Sequence, residues 1–284
     1  MRAWLRRNPI VRELVRSRIA QVSAVITLVY VILAVFGPQL APYDPTAMLT
    51  LPRQGPSAEH WFGTDEIGRD IFSRMLVSAR VAMTVGFVAV GIGLVVGGVL
   101  GVVAGFFQGW IDSVIMRAVD VLLAFPGILL ALAVITFLGP GLVNTMIAIG
   151  IGGIPGYARL ARGEVLSLIE RDHVVAARSL GARNLRLMWK HLFPLLVSSL
   201  LVYSTAALAR AILAEAGLSY LGLGVQPPEP SWGGMISSGQ RFFLTAPFMA
   251  IYPGTAIMML VFALNLLGDV LRDALNPALR RSGS

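Results

Sequence analysis

No cysteine occurs anywhere in the chain. Disulfides, thiolate metal sites and thiol nucleophiles are excluded together, and no redox compartment can be read from them. Charge is scarce too, at 13% of the 284 residues, where an ordinary soluble domain carries about 25%. The three histidines, His60, His173 and His191, fall on different segments without ligand spacing, so no metal site is expected. Also missing are a G-x-x-x-x-G-K-[ST] phosphate loop, a G-x-G-x-x-G turn after a strand, an H-E-x-x-H helix and a G-x-S-x-G nucleophile elbow. No catalytic residue can be named. Work against a gradient would need energy from a partner or from an ion gradient.

What remains is apolar. The chain is 56% hydrophobic, with a mean hydropathy of +0.76, which points to a bilayer rather than to water. The net charge of +8 comes almost entirely from arginine. On a membrane protein such an excess sets orientation, and no nucleic-acid partner is expected.

A helix needs roughly twenty apolar residues to cross a hydrocarbon core of about 30 Å. Six stretches fit: Ile19 to Leu40, Val81 to Phe106, Ile115 to Leu138, Leu142 to Leu160, Leu192 to Leu213 and Pro247 to Val270. The fourth is weakened by Gly150, Gly152, Gly153, Pro155 and Gly156. Continuous apolar runs argue against a barrel, whose strands alternate. The expected fold class is therefore all-α, a polytopic membrane protein with six transmembrane helices. Arg2, Arg6, Arg7, Arg12, Arg16 and Arg18 precede the first span; Arg162, Arg171, Arg178, Arg183, Arg186 and Lys190 separate the fourth and fifth; Arg272, Arg280 and Arg281 follow the sixth. Six spans place all three groups on one side, which the positive-inside rule makes the cytoplasm, so both termini are expected there. The first span has a basic start and an apolar core, but its length and the spans behind it favour an uncleaved anchor over a signal peptide.

Within the second span Gly93, Gly97, Gly101 and Gly105 recur every four residues, on one helical face. Such a ladder lets another helix approach closely, either as static packing or as a sliding surface. Phe125-Pro126-Gly127 should kink the third span. Ionisable residues inside spans are few: Asp120, Arg210, Glu215 and Asp269. Of these, Asp120 and Glu215 are candidates for a translocation path, although charges near span ends can also snorkel. Gly63-Thr64-Asp65-Glu66 reads as a helix start, with Arg69, Asp70 and Arg74 spaced for local ion pairs as solvated structural charge. In Pro227-Pro228-Glu229-Pro230-Ser231-Trp232-Gly233 the prolines exclude helix interior and central strand. This loop is either a surface turn anchored by Trp232 or a wall of the path.

One basic stretch lies between the fourth and fifth spans. His173 to Leu180 can form two helical turns, Gly181 suits the left-handed residue that closes a helix, and Asn184 can cap a second helix. Apolar contacts would come from Ala176, Ala177, Leu180, Leu185, Met188 and Trp189. Read alone, the stretch fits insertion into a groove of another protein or a helix lying on anionic lipid.

Ala176-Ala177, Gly181 and the spacer to Phe193-Pro194 resemble the "EAA" loop of ABC-importer permeases. Three more stretches resemble the C-type permease subunit of dipeptide, oligopeptide and nickel importers. They are Phe62-Gly-Thr-Asp-Glu-Ile-Gly-Arg-Asp-Ile-Phe-Ser-Arg74, Leu218-Ser-Tyr-Leu-Gly-Leu-Gly-Val-Gln-Pro-Pro-Glu-Pro-Ser-Trp-Gly233 and Asn265-Leu-Leu-Gly-Asp-Val-Leu-Arg-Asp-Ala-Leu-Asn-Pro277. The pattern's acidic first position is Val175 here. The resemblance implies a type I importer permease fold in a bacterial inner membrane, with a first span and outer loop over residues 1–75, a permease domain over 80–271 and a cytoplasmic tail over 272–284. It implies that Ala176, Ala177, Arg178, Leu180 and Gly181 couple to an ATPase. The partners implied are a homologous second permease, two cytoplasmic ATPases that use ATP and Mg, an extracytoplasmic solute-binding protein and the lipid; this chain would bind no cofactor itself. Within the resemblance the chain forms half of a path for peptides or a related small solute, with nickel chelates or glutathione as alternatives; outside it two rivals stay open, an ion-driven secondary transporter and a membrane scaffold.

Overall fold

The computed structural model describes residues 17–275, and there the elements are all helical, with one isolated bridge between Thr64 and Asp70. Arg2, Arg6, Arg7, Arg12, Arg16, Arg280 and Arg281, on which the expected orientation leans, lie outside the described residues, as do Asn276 and Pro277.

Helix α1 spans Arg18–Leu40, with the Ser17 hydroxyl accepting from the Ala20 amide at its start. Ile19, Val22, Val25 and Leu28 are all exposed. Apolar side chains facing outward along a whole helix suit lipid, not water. Helix α2, Ile71–Ile92, runs through a π-helical turn, Gly93–Gly97, into α3, Gly98–Phe107. Together they form one 37-residue apolar unit. Its start lies ten residues before the expected Val81, because Asp70 is the N-cap and its carboxylate accepts from the Ser73 amide at 2.7 Å.

The expected third span is a corner rather than a kink. Helices α4, Gly109–Leu123, and α5, Gly127–Leu138, meet at 90°. Pro126 cannot donate to the preceding turn, and Gly127 begins a new helix behind it. Helix α6, Leu142–Leu168, carries the fourth expected span. It is not among the helices apolar enough to count as a span by composition. After the short α7, Asp172–Ser179, and α8, Asn184–Arg186, a π-helical stretch Leu187–Leu192 leads into α9, Phe193–Tyr220. Helix α10, Trp232–Gln240, and α11, Phe248–Leu275, complete the chain. By length and composition four helices or helix runs could cross a membrane, or five if the α4–α5 corner counts as one.

The two largest of four buried clusters among the described residues hold most of these helices together. One, around Met83, Ile212, Trp232, Leu260 and Leu264, joins α1, α2, α9, α10 and α11. The other, around Phe106, Tyr157, Val165, Val174, Leu187 and Leu196, joins α3, α6 and α9 to the short helices between them.

Candidate functional site

The glycine ladder seats α6 against the second and third helices. A Cβ added at Gly93 would meet the Tyr157 ring at 3.0 Å, and one at Gly105 would meet Val165 Cβ at 2.9 Å. At Gly97 and Gly101 it would run into the backbone oxygens of Ile154 and Ala158. Helices pack this closely only where side chains are absent. Overpacking such a seam costs about 1–3 kcal/mol per site.

At one end of this seam sits the elbow formed by α7 and α8. Helix α7 closes with two backbone bonds, Ala182 N to Ala177 O at 3.1 Å and Gly181 N to Arg178 O at 3.0 Å. This pattern requires a left-handed residue after the helix, and Gly181 has φ +81°. Ala177 and Ala182 pack beside the buried cluster, so their small size fits the tight closure. Asn184 is the first residue of α8 rather than its cap; Arg183 holds the cap position without a side-chain bond, since Asn184 already has helical backbone. The elbow is fixed below and open above. Val174 and Leu187 are fully buried, while Leu180 is 89% and Leu185 72% exposed. Ala176 and Arg178 are exposed as well, and the Arg178 guanidinium lies 5.8 Å from the centre of the Phe106 ring. Val175, at the usual acidic position, is half-exposed.

The ionisable residues named from sequence separate. Asp120 accepts from Arg159 of α6 at 2.7 Å, with both side chains largely exposed. A neighbouring fork, Arg162 to Asp112 at 2.6 Å through two nitrogens, ties α6 to α4 more firmly. Glu215 is buried, and its Oε1 accepts from Ser219 of its own helix at 2.7 Å. Trp232 is buried too: its Nε1 donates to the Met75 carbonyl at 3.2 Å and its ring meets Tyr30 edge-on at 5.7 Å. It fixes α10 to α1 and α2.

The end opposite the elbow is a charge-packed cap. Asp65 accepts from Arg69 Nε at 2.5 Å and from the Ile67 and Arg69 amides, and Arg74 Nε lies 3.5 Å from it. Arg74 also donates to the Pro45 carbonyl at 2.7 Å, and Asp70 accepts from His60 Nδ1 at 2.9 Å and from the Ser73 hydroxyl. Asp65, Arg69, Asp70 and Arg74 are all buried. The expected helix start at Gly63 is a bridged turn instead, and the expected solvated charge is an internal network. Its carboxylates are needed to accept backbone amides in a loop that has no ladder of its own. The spacing of Asp70 three residues before Ser73 is the one sequence signal that marks it.

Sequence reasoning gave no role to the cavity midway along the helices. It has a volume of about 260 Å3, with Ala89, Gly127, Gly153, Tyr157, Tyr203 and Arg210 among the residues lining it. Among the described residues no three His, Cys, Asp or Glu side chains gather as metal ligands.

This helical fold also occurs in a solved transporter. The methionine ABC transporter MetNI, solved in an inward-facing conformation, superposes with a TM-score of 0.60 at 19% identity, over 72% of this chain and 97% of that one. At that identity it shows the fold alone. The family model described as "Binding-protein-dependent transport system inner membrane component" matches residues 97–281. The chain belongs to that family. A second model, the N-terminal transmembrane domain of oligopeptide transport permease C, matches residues 8–56. The glutathione transport system permease GsiD of Pectobacterium atrosepticum is 42% identical over 95% of this chain and 90% of its own length. The same permease from Escherichia coli O6:K15:H31 is 44% identical, and the dipeptide transport system permease DppC of Alkalihalophilus pseudofirmus 42%. The chain is thus an ABC-importer permease of the dipeptide/oligopeptide group, an inner-membrane component. A permease of this family works with an ATPase and a binding protein.

Proposed function

We propose that this permease forms half of a path for short peptides of dipeptide or glutathione size, paired with a homologous second permease. In this reading the chain crosses the membrane six times with both termini in the cytoplasm, α6 being a sixth, less apolar span shielded by its neighbours. Two cytoplasmic ATPases consume ATP and Mg and press on the elbow at Ala176, Ala177, Arg178, Leu180 and Gly181, while an extracytoplasmic binding protein delivers solute to the charge-packed cap. The glycine seam at Gly93, Gly97, Gly101 and Gly105 carries the motion from α6 to α2 and α3.

The observation that supports this most is the contrast within the elbow, where Val174 and Leu187 are fully buried and Leu180 is 89% exposed. An apolar tip standing on a core-anchored base calls for a covering partner. Nucleotide can shift such a unit only through a contact that differs between two states. The substrates named for the relatives, glutathione and dipeptides, set the choice of solute. Proteoliposomes holding the full transporter should accumulate labelled dialanine or glutathione only with binding protein outside and ATP within. Accumulation driven by an ion gradient without ATP would overturn the reading in favour of a secondary transporter.

A further inference from the structure

The cavity beside α5 contains a cation that has no carboxylate of its own. Arg210 lies on α9 ten residues before its end at Tyr220, about 15 Å along the helix at 1.5 Å per residue. Among the described residues every ion pair lies elsewhere: at His60–Asp70, at Asp65, Glu66, Arg69 and Arg74, at Arg159–Asp120 and at Arg162–Asp112. Glu215, five residues on, is buried against its own helix and receives Ser219 instead. The Arg210 side chain is exposed and rests on one aromatic face. Its guanidinium stands 5.1 Å from the centre of the Tyr203 ring, Tyr203 meets Tyr157 edge-to-face at 4.8 Å, and the Tyr157 hydroxyl bonds Ser204 at 2.9 Å. This bracing fixes the arginine without using up its hydrogen-bond fork.

An arginine at membrane depth is costly, and residues kept there in spite of the cost face a partner or a path. The wall around it is otherwise small or apolar, with Ala89, Gly127 and Gly153 exposing backbone and space rather than charge. A volume of about 260 Å3 lies at the lower edge of small-molecule sites and suits one end of a peptide. Planar and charged, the guanidinium matches a carboxylate through two parallel bonds.

We infer that Arg210, braced by Tyr203, holds the C-terminal carboxylate of the solute partway across the membrane, so that this permease itself selects for a free peptide terminus. The inference rests on the short-peptide reading above. It adds a second sieve to whatever the binding protein selects. The competing occupant of the fork is an acidic side chain of the second permease.

Uptake of dialanine and of dialanine amide is compared in the reconstituted full transporter, with the same binding protein for every variant. The change in acid-to-amide preference from parent to variant then cancels the binding protein's own selectivity. Arg210→Gln is expected to lower that preference about tenfold, the worth of one charge-assisted pair. Arg210→Lys, which keeps the charge and loses the fork, should lower it about threefold, and Tyr203→Leu, which removes the brace, should also lower it. An unchanged preference in Arg210→Gln or Arg210→Lys overturns the inference, as does release of the second permease on purification of Arg210→Gln. If the wild-type transporter takes up neither peptide nor glutathione, the short-peptide reading fails first, and that result is separate from the variants' behaviour.

Discussion

The two ends of the molecule use arginine in opposite ways. In the cap, Arg69 and Arg74 are buried beside Asp65, whose carboxylate also takes two backbone amides. At the elbow, Arg178, Arg183 and Arg186 are exposed, and none has a carboxylate partner among the described residues. Burial with pairing makes the cap a rigid lid, since loss of Asp65 leaves the Arg74 charge uncompensated. Exposure without pairing leaves the elbow's cations available to something outside the chain. The same residue type therefore marks internal structure at one end and an open surface at the other.

The comparison breaks most sharply at Asp65. Asp65→Ala leaves the buried Arg74 without a carboxylate and Arg69 with Glu66 alone, and the detergent-solubilised protein is expected to lose about 3–5 kcal/mol, read as a large fall in melting temperature. A fall of only a degree or two would mean that the cap's charges are solvated after all. Next comes Gly181→Val, where a Cβ meets nothing within 4 Å but φ is +81°. The strain is purely conformational, about 1–3 kcal/mol for a non-glycine residue held there. Membrane insertion should persist while ATP-driven uptake falls, whereas Gly181→Asn, which tolerates this backbone better, should keep most of it. Equal uptake in the two variants would separate the elbow's shape from its role. The smallest effect is expected at Arg186→Ala, within about 0.5 kcal/mol of the parent in stability. A change in ATPase coupling without a change in melting would then assign the elbow's charge to a partner.

How far the fold could be read from sequence depended on the kind of signal. Long apolar runs found α1, α9 and α11 directly, because lipid-facing helices need no partner to be recognised. Gly181 was legible since only one residue type readily takes a positive φ after a helix, and the glycine ladder since its four-residue period defines a face. The corner at Pro126 was placed correctly but its angle was not, as 90° depends on what α5 packs against rather than on the proline. The beginning of α2 was missed by ten residues, and the cap was misread as solvated. In both cases the cause is tertiary: Asp65 and Asp70 look like surface carboxylates until the loops from Pro45 and His60 fold over them. The cavity around Arg210 shares that reason, being assembled from α2, α5, α6 and α9, so no local window of residues contains it.

Absence of native cysteine makes the central claim directly testable. A single thiol introduced as Leu180→Cys, on the most exposed apolar residue of the elbow, would be treated with a thiol-to-amine cross-linker in membranes containing the whole transporter. A covalent adduct with the ATPase, its yield changing between ATP-bound and nucleotide-free states, is the predicted result. Labelling of that thiol by a membrane-impermeant reagent from outside the cell, or a fully reactive thiol that never joins the ATPase, would contradict it.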